Sequence, residues 1–242
     1  MSEQIKTAVI LAAGMGNRLG KHNNNQPKGL LRIGTLPIIH DSINKLRRAK
    51  VENIVVVTGF RHDLYDEYFD KNSLDIHVVK NLEYESSNTL SSLSKTRYEI
   101  NQDFLLLESD IIYESWCIEK LISHKSPNTI LVSKVTGSGD EVYVECKNTL
   151  LRRMSKNSNK IETEIYGEFV GINKISFKLF GEMMRFFDSS EVAKELTYEE
   201  DALVYCANYL EIDCLKLNNF LWSEIDSLEH LVRAKKIYKE ID

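Results

Sequence analysis

Gly14 and Gly16 lie in the stretch Ala13-Gly14-Met15-Gly16-Asn17-Arg18-Leu19-Gly20, and Pro27-Lys28-Gly29 follows shortly after. The strand-like run Thr7-Ala8-Val9-Ile10-Leu11-Ala12 leads into them. Glycine has no Cβ, so backbone N–H groups there can approach phosphate oxygens closely and form an anion-binding concavity. Arg18 and Lys28 add charge-assisted hydrogen bonds and are the candidate catalytic cations. The chemistry this implies is binding of a nucleoside triphosphate.

Two familiar glycine loops do not fit. A dinucleotide fingerprint needs a third glycine that Gly20 supplies one residue late. A Walker A loop needs Lys-Ser/Thr after its second glycine, whereas Lys21 is followed by His22. The stretch from Lys21 to Gln26 has no helical apolar period and reads as a loop able to close over a triphosphate.

A second candidate site falls where Phe104-Leu105-Leu106-Leu107 runs into Glu108-Ser109-Asp110. A carboxylate just past a buried strand faces the ligand crevice and is a natural Mg²⁺ ligand beside phosphates, so Asp110 is the candidate. Asp226, just before the last amphipathic segment, is its candidate partner, with Glu224 a third acid nearby. The plain alternative for both aspartates is a helix cap. Base recognition is expected from backbone atoms of Leu11, Ala12 and Ala13 and from Ser86-Ser87-Asn88-Thr89-Leu90-Ser91, chiefly Asn88 and Thr89. Such a polar cluster also suits an N-cap.

The elements that must hold these residues alternate. Val9–Ala12, Ile54–Thr58, Ile76–Val79, Phe104–Glu108 and Ile130–Val135 are short apolar runs suited to a parallel sheet buried on both faces. An amphipathic helix begins at Pro37, with Ile38, Ile39, Ile43 and Leu46 on one stripe. The expected fold is a doubly wound, mostly parallel α/β sheet whose ligands bind beyond the carboxyl strand ends. Residues 136–201 break the alternation and read as a strand-rich, acceptor-binding insertion. The expected division is one domain over 1–242, with 1–135 mainly binding nucleotide, 136–201 the acceptor, and 202–242 closing the site with a metal ligand.

Composition narrows the partners. A chain of 242 residues suits one sizeable core. A net charge of −5 without a long basic block argues against nucleic acid. No apolar run reaches the roughly 18 residues of a membrane span. Cys117, Cys146, Cys206 and Cys214 are scattered without a CxxC pair, which suggests reduced thiols in a cytoplasmic protein.

The motifs Leu11-Ala12-Ala13-Gly14-x-Gly16-x-Arg18 with Pro27-Lys28, Glu108-Ser109-Asp110, Ser138-Gly139-Asp140-Glu141-Val142-Tyr143, Gly167-Glu168-Phe169-Val170-Gly171-Ile172 and Glu224-Ile225-Asp226 together resemble bacterial 2-aminoethylphosphonate cytidylyltransferases. They are similar, less closely, to phosphocholine cytidylyltransferases. The resemblance implies a Rossmann-like, GT-A-like nucleotidyltransferase fold, CTP as donor, and one Mg²⁺ held jointly by Asp110 and Asp226. It also implies that the Asn88–Thr89 region contacts cytosine, and that a small phosphonate or phosphate acceptor is the other partner, with a homodimer as the candidate assembly. For the acceptor, a primary ammonium is best held by carboxylates and a quaternary one by an aromatic cage. Asp140, Glu141, Glu168, Glu199, Glu200 and Asp201, with Tyr143, Tyr166, Phe169 and Tyr198 interleaved, therefore favour a primary amine, and Lys156, with Arg152 or Arg153, is the candidate for its phosphonate. The rival readings are a phosphocholine-type acceptor and a nucleotide-sensing regulatory subunit without catalysis.

Overall fold

The computed structural model describes residues 5–19, 25–189 and 197–241. In chain order the strands are β1 (Thr7–Ala12), β2 (Asn53–Thr58), β3 (His77–Lys80), β4 (Phe104–Glu108), β5 (Ile111–Tyr113), β6 (Thr129–Ser133), β7 (Tyr143–Lys147), β8 (Leu150–Ser155), β9 (Gly167–Ile175), β10 (Asp213–Leu217) and β11 (Trp222–Glu224). The helices are α1 (Ile38–Arg48), α2 (His62–Lys71), α3 (Thr89–Ser94), α4 (Trp116–Ser123), α5 (Phe177–Asp188), α6 (Glu199–Cys206) and α7 (Leu228–Ile237).

Nine strands form one sheet in the order β3-β2-β1-β4-β9-β6-β10-β8-β7. β3, β2, β1 and β4 pair in parallel, as do β6 and β10. The continuous apolar runs have the expected cause, because both faces of the sheet are covered. Along β4, Leu105 and Leu107 point into the cluster that includes Ile39, Ile43 and Leu46 of α1 and Tyr65 of α2. Phe104 and Leu106 point the other way, toward Leu90 and Leu93 of α3 and Leu179, Phe180 and Met183 of α5. Each such side chain contributes about 1.5–3 kcal/mol by leaving water. β3 departs from expectation: it is an edge strand with no fully buried residue.

Residues 136–201 are not an appendage. β9, buried along its whole length, runs antiparallel between β4 and β6 and so joins the sheet's centre. A register shift opposite Ile130–Val132 marks a bulge in that pairing. Within the bulge Gly171 has φ +80°, and a Cβ there would lie 2.8 Å from the Glu108 carboxyl carbon. Gly171→Ala is therefore expected to destabilise the fold by about 1–3 kcal/mol, through left-handed strain and displacement of Glu108, as measured by urea unfolding.

All four cysteines are free thiols, and Cys117, Cys206 and Cys214 are buried. Among the described residues no helix is long and apolar enough to cross a membrane.

Candidate active site

The carboxyl ends of β1 and β4 open into a cleft of about 470 Å³. Leu11, Ala12, Ala13, Gly14, Gly16 and Arg18 line one side, with Asn88 and Thr89 at the start of α3. Asn88 holds the N-cap position of α3, as the plain alternative required, but its side chain does not make the capping bond. Gly16 adopts φ +64°, and a Cβ on it would sit 2.9 Å from Cγ of Lys28. Glycine at 16 thus serves the turn and also clears the path of the Lys28 stem.

Lys28 opens a single 3-10 turn after Pro27, closed by Leu30 N–H donating to the Pro27 carbonyl at 3.0 Å. From there its ammonium reaches Asp110 Oδ2 at 2.7 Å and also bonds Asp226 Oδ1. Burial alone would lower the affinity of this amine for its proton, yet the two carboxylates hold its pKa above the usual lysine value. Lys28 is therefore a fixed cation.

Asp110 and Asp226 are distant in sequence and adjacent in space because β5 and β11 pair antiparallel. Ile111, which opens β5, faces Glu224, which ends β11, so the residue before β5 and the residues after β11 share one end. Ile225 N–H donates to the Asp110 carbonyl at 3.0 Å and closes that end. The capping alternative fails for both aspartates. No helix starts at Asp110, and the N-cap of α7 is Ser227, whose hydroxyl accepts from His230 N–H.

Asp110, Glu224 and Asp226 each bring one carboxylate oxygen within 4.8 Å of the others. Burial and a hydrogen bond with Asp226 push the Glu224 carboxyl up to about 10. Burial would also raise Asp226, but its bond with Glu224 and the charges of Lys28 and Arg18 hold it well below the carboxylate range. An all-oxygen set of partly buried acids is the donor chemistry that Mg²⁺ takes, so these residues fit that ion.

Arg18 pairs with Asp226 at 2.7 Å and with Asp140, and Lys156 reaches the other oxygen of Asp140 at 2.8 Å. Asp140 lines the cleft, and its charge answers two cations of the chain itself. Glu168 lines the cleft while accepting the Thr136 N–H at 2.6 Å and the Thr136 hydroxyl at 3.1 Å. Glu200 and Lys156 also line it. Glu141 and Tyr143 do not: the Glu141 carboxylate turns back to Gly139 N–H at 3.2 Å and to the Tyr143 hydroxyl at 3.4 Å. Nor does Arg153, which is drawn to Glu162 at 2.6 Å, or Arg152, which is exposed away from the cleft. Gly20 and residues 21–24 of the expected closing loop lie outside the described residues.

Glu199, one of the candidate acids for the amine, lines the cleft beside Glu200, and so does Glu108, which had been given no role of its own. Glu108 ends an apolar strand, and Glu199 lies in an acidic run of the kind that usually opens a helix. Burial raises the pKa of both, and pushes that of Glu200 up to about 8. Trp222, from β11, is a further lining residue and lies outside residues 136–201.

The chain is 26% identical over 237 residues to a CTP:phosphoglutamine cytidylyltransferase of Campylobacter jejuni, covering 90% of this chain and 92% of that one. Over 129 residues it is 30% identical to a CMP-5'-(3-aminopropyl)phosphonate synthase of Streptomyces rubellomurinus, covering 52% of this chain and 20% of the relative. It spans about half the length of several bifunctional relatives that it also matches. The structure of an inositol-1-phosphate CTP transferase from T. maritima superposes with a TM-score of 0.81 at 20% identity, covering 100% of both chains. That likeness establishes a nucleotidyltransferase Rossmann-like fold with additional strands. Residues 8–173 match the model of the MobA-like NTP transferase domain, and the chain belongs to that family.

Proposed function

We propose that this protein transfers CMP from CTP to 2-aminoethylphosphonate and releases pyrophosphate. The observation that carries the reading is the convergence of Lys28, Asp110 and Asp226 at one point of the cleft, beside the Gly14–Gly16 loop. The names of the Campylobacter and Streptomyces relatives, which pair cytidylyl transfer with phosphate or phosphonate compounds, support the donor and the acceptor class.

In this reading residues 1–135 mainly bind CTP, 136–201 the acceptor, and 202–242 close the site. Backbone N–H groups of Gly14 to Gly16 receive the phosphates, and Leu11, Ala12, Ala13, Asn88 and Thr89 meet the base. An oxygen of the phosphonate forms a bond to the α-phosphorus in line with the departing oxygen. The bond from the α-phosphorus to the bridging oxygen breaks, and the electron pair leaves with pyrophosphate. Lys28 neutralises the α-phosphoryl oxygens and Arg18 the leaving phosphates. A bound Mg²⁺, held by Asp110 and Asp226 with Glu224 adjacent, would supply further neutralisation of triphosphate charge. A phosphonate is already an anion at neutral pH, so the reaction needs no general base.

Acceptor choice tests the reading. Each N-methylation removes an N–H donor and leaves a buried acceptor unpaired, at a cost of about 1–3 kcal/mol. Since 1.4 kcal/mol is tenfold, 2-aminoethylphosphonate is expected to exceed phosphocholine in kcat/KM by at least about an order of magnitude. Pyrophosphate release with CTP and each acceptor measures this. Equal values, or a preference for phosphocholine, overturn the acceptor assignment.

A further inference from the structure

α6 begins with Tyr198 at its N-cap and Glu199, Glu200 and Asp201 in its first turn. Acidic residues there ordinarily answer the helix dipole and the unpaired N–H groups. Asp201 performs that task, accepting the Tyr198 N–H at 3.0 Å. The carboxyl of Glu199 bonds Thr89, its own N–H and Glu108, and that of Glu200 bonds its own N–H, yet each keeps one oxygen unused. Glu199 is only 1% exposed, its Oε2 has no hydrogen-bond partner, and the Oε2 of Glu200 is likewise buried and unpartnered. Both residues line the cleft. Among the described residues neither forms an ion pair with a lysine or arginine of the chain, and the nearby Lys156 ammonium is bonded to Asp140.

Buried carboxylates without a counter-ion are costly to keep, because desolvation is not offset by pairing. Two such groups on one cleft wall therefore hold their protons tightly, and a cation with N–H donors arriving from outside the chain would favour their ionised form. Glu108 borders them, hydrogen-bonded to Glu199 and seated against Gly171. The set differs from the metal-type cluster, since among the described residues it is Asp110, Glu224 and Asp226 whose ligand atoms close to within 4.8 Å of one another. A rounded ammonium with several donors suits the looser set.

We propose that Glu199 and Glu200, bordered by Glu108, form the seat for a primary ammonium carried by the acceptor, an assignment that rests on the cytidylyltransferase reading above. It moves amine recognition away from Asp140. The phosphonate end then lies toward Lys156 and Arg18, and the amine end toward the start of α6.

The test compares 2-aminoethylphosphonate with ethylphosphonate, which lacks the amine, on wild-type protein and on Glu199→Gln and Glu200→Gln. With CTP and Mg²⁺ present, each variant is expected to raise KM for 2-aminoethylphosphonate by about tenfold or more while leaving KM for CTP and for ethylphosphonate unchanged. Equal losses for the two acceptors, or none, overturn the seat. Calorimetric binding of the same two compounds, without turnover, separates the two claims. Preferential binding of the amine that both variants abolish upholds the seat even if no pyrophosphate is released, in which case the transferase reading alone fails. Equal wild-type binding of both compounds overturns the seat whatever the turnover. Gln is isosteric and, like a protonated carboxyl, neutral, so thermal unfolding of the ligand-free variants at neutral pH is expected at about the wild-type midpoint. A lowered midpoint would show a structural role for these acids and count against the seat.

Discussion

Replacing Lys28 by Ala is expected to lower turnover by on the order of a hundredfold or more while the protein stays folded. The ammonium is fixed by Asp110 and Asp226 before any substrate arrives, so its position costs no reorganisation when charge develops on the α-phosphoryl oxygens. Its loss should appear mainly in kcat, because the charge that it meets grows toward the transition state. The variant also leaves Asp110 and Asp226 without their nearest cation. Its thermal midpoint in chelator should therefore fall, and added Mg²⁺ should recover much of the difference, because a cation bound to the folded state stabilises it. Circular dichroism melts with and without Mg²⁺, alongside pyrophosphate release, check both parts. Near-normal turnover in the variant would remove Lys28 from the proposed mechanism.

The second large effect concerns the acids. Asp110→Asn and Asp226→Asn are each expected to reduce Mg²⁺-dependent turnover by at least about a hundredfold, and the double variant should be little worse than either single one. Residues that hold one ion act as a unit, so removing the second costs little once the first is gone. Asp226 carries an additional duty as the anion between Lys28 and Arg18, and its loss should also loosen Arg18. Calorimetric titration with Mn²⁺ gives a readout independent of activity: both single variants should lose the same binding event. Fully multiplicative kinetic losses, or an unaltered Mn²⁺ isotherm, would mean that the two aspartates do not share an ion.

What the chain declares locally is much of its first half. Continuous apolar runs marked β1, β2, β4 and β6 because strands buried on both faces must be apolar at every position. Gly14, Gly16, Arg18 and Lys28 were expected together because a phosphate loop is a local device, built within one turn and its flanks, and all four line the cleft. The stripe of Ile38, Ile39, Ile43 and Leu46 was legible for the same reason, and all four are buried in α1.

The tertiary structure alone decided the rest. No local pattern states that β9 enters the sheet between β4 and β6, since strand pairing is settled by distant partners. Asp110 and Asp226 were paired only by the resemblance, and it is the antiparallel pairing of β5 and β11 that sets them side by side. Asp140, Glu141 and Glu200 look alike in a sequence, as exposed acids would. Folding gives Asp140 to Arg18 and Lys156, turns Glu141 back on its own loop, and buries Glu200 beside Glu199 with oxygens unpaired. The sequence by itself determined which residue types were available for nucleotide chemistry. Which carboxylate remains free to bind a cation depends on every charge that reaches it, and those charges arrive from elements far apart in the chain.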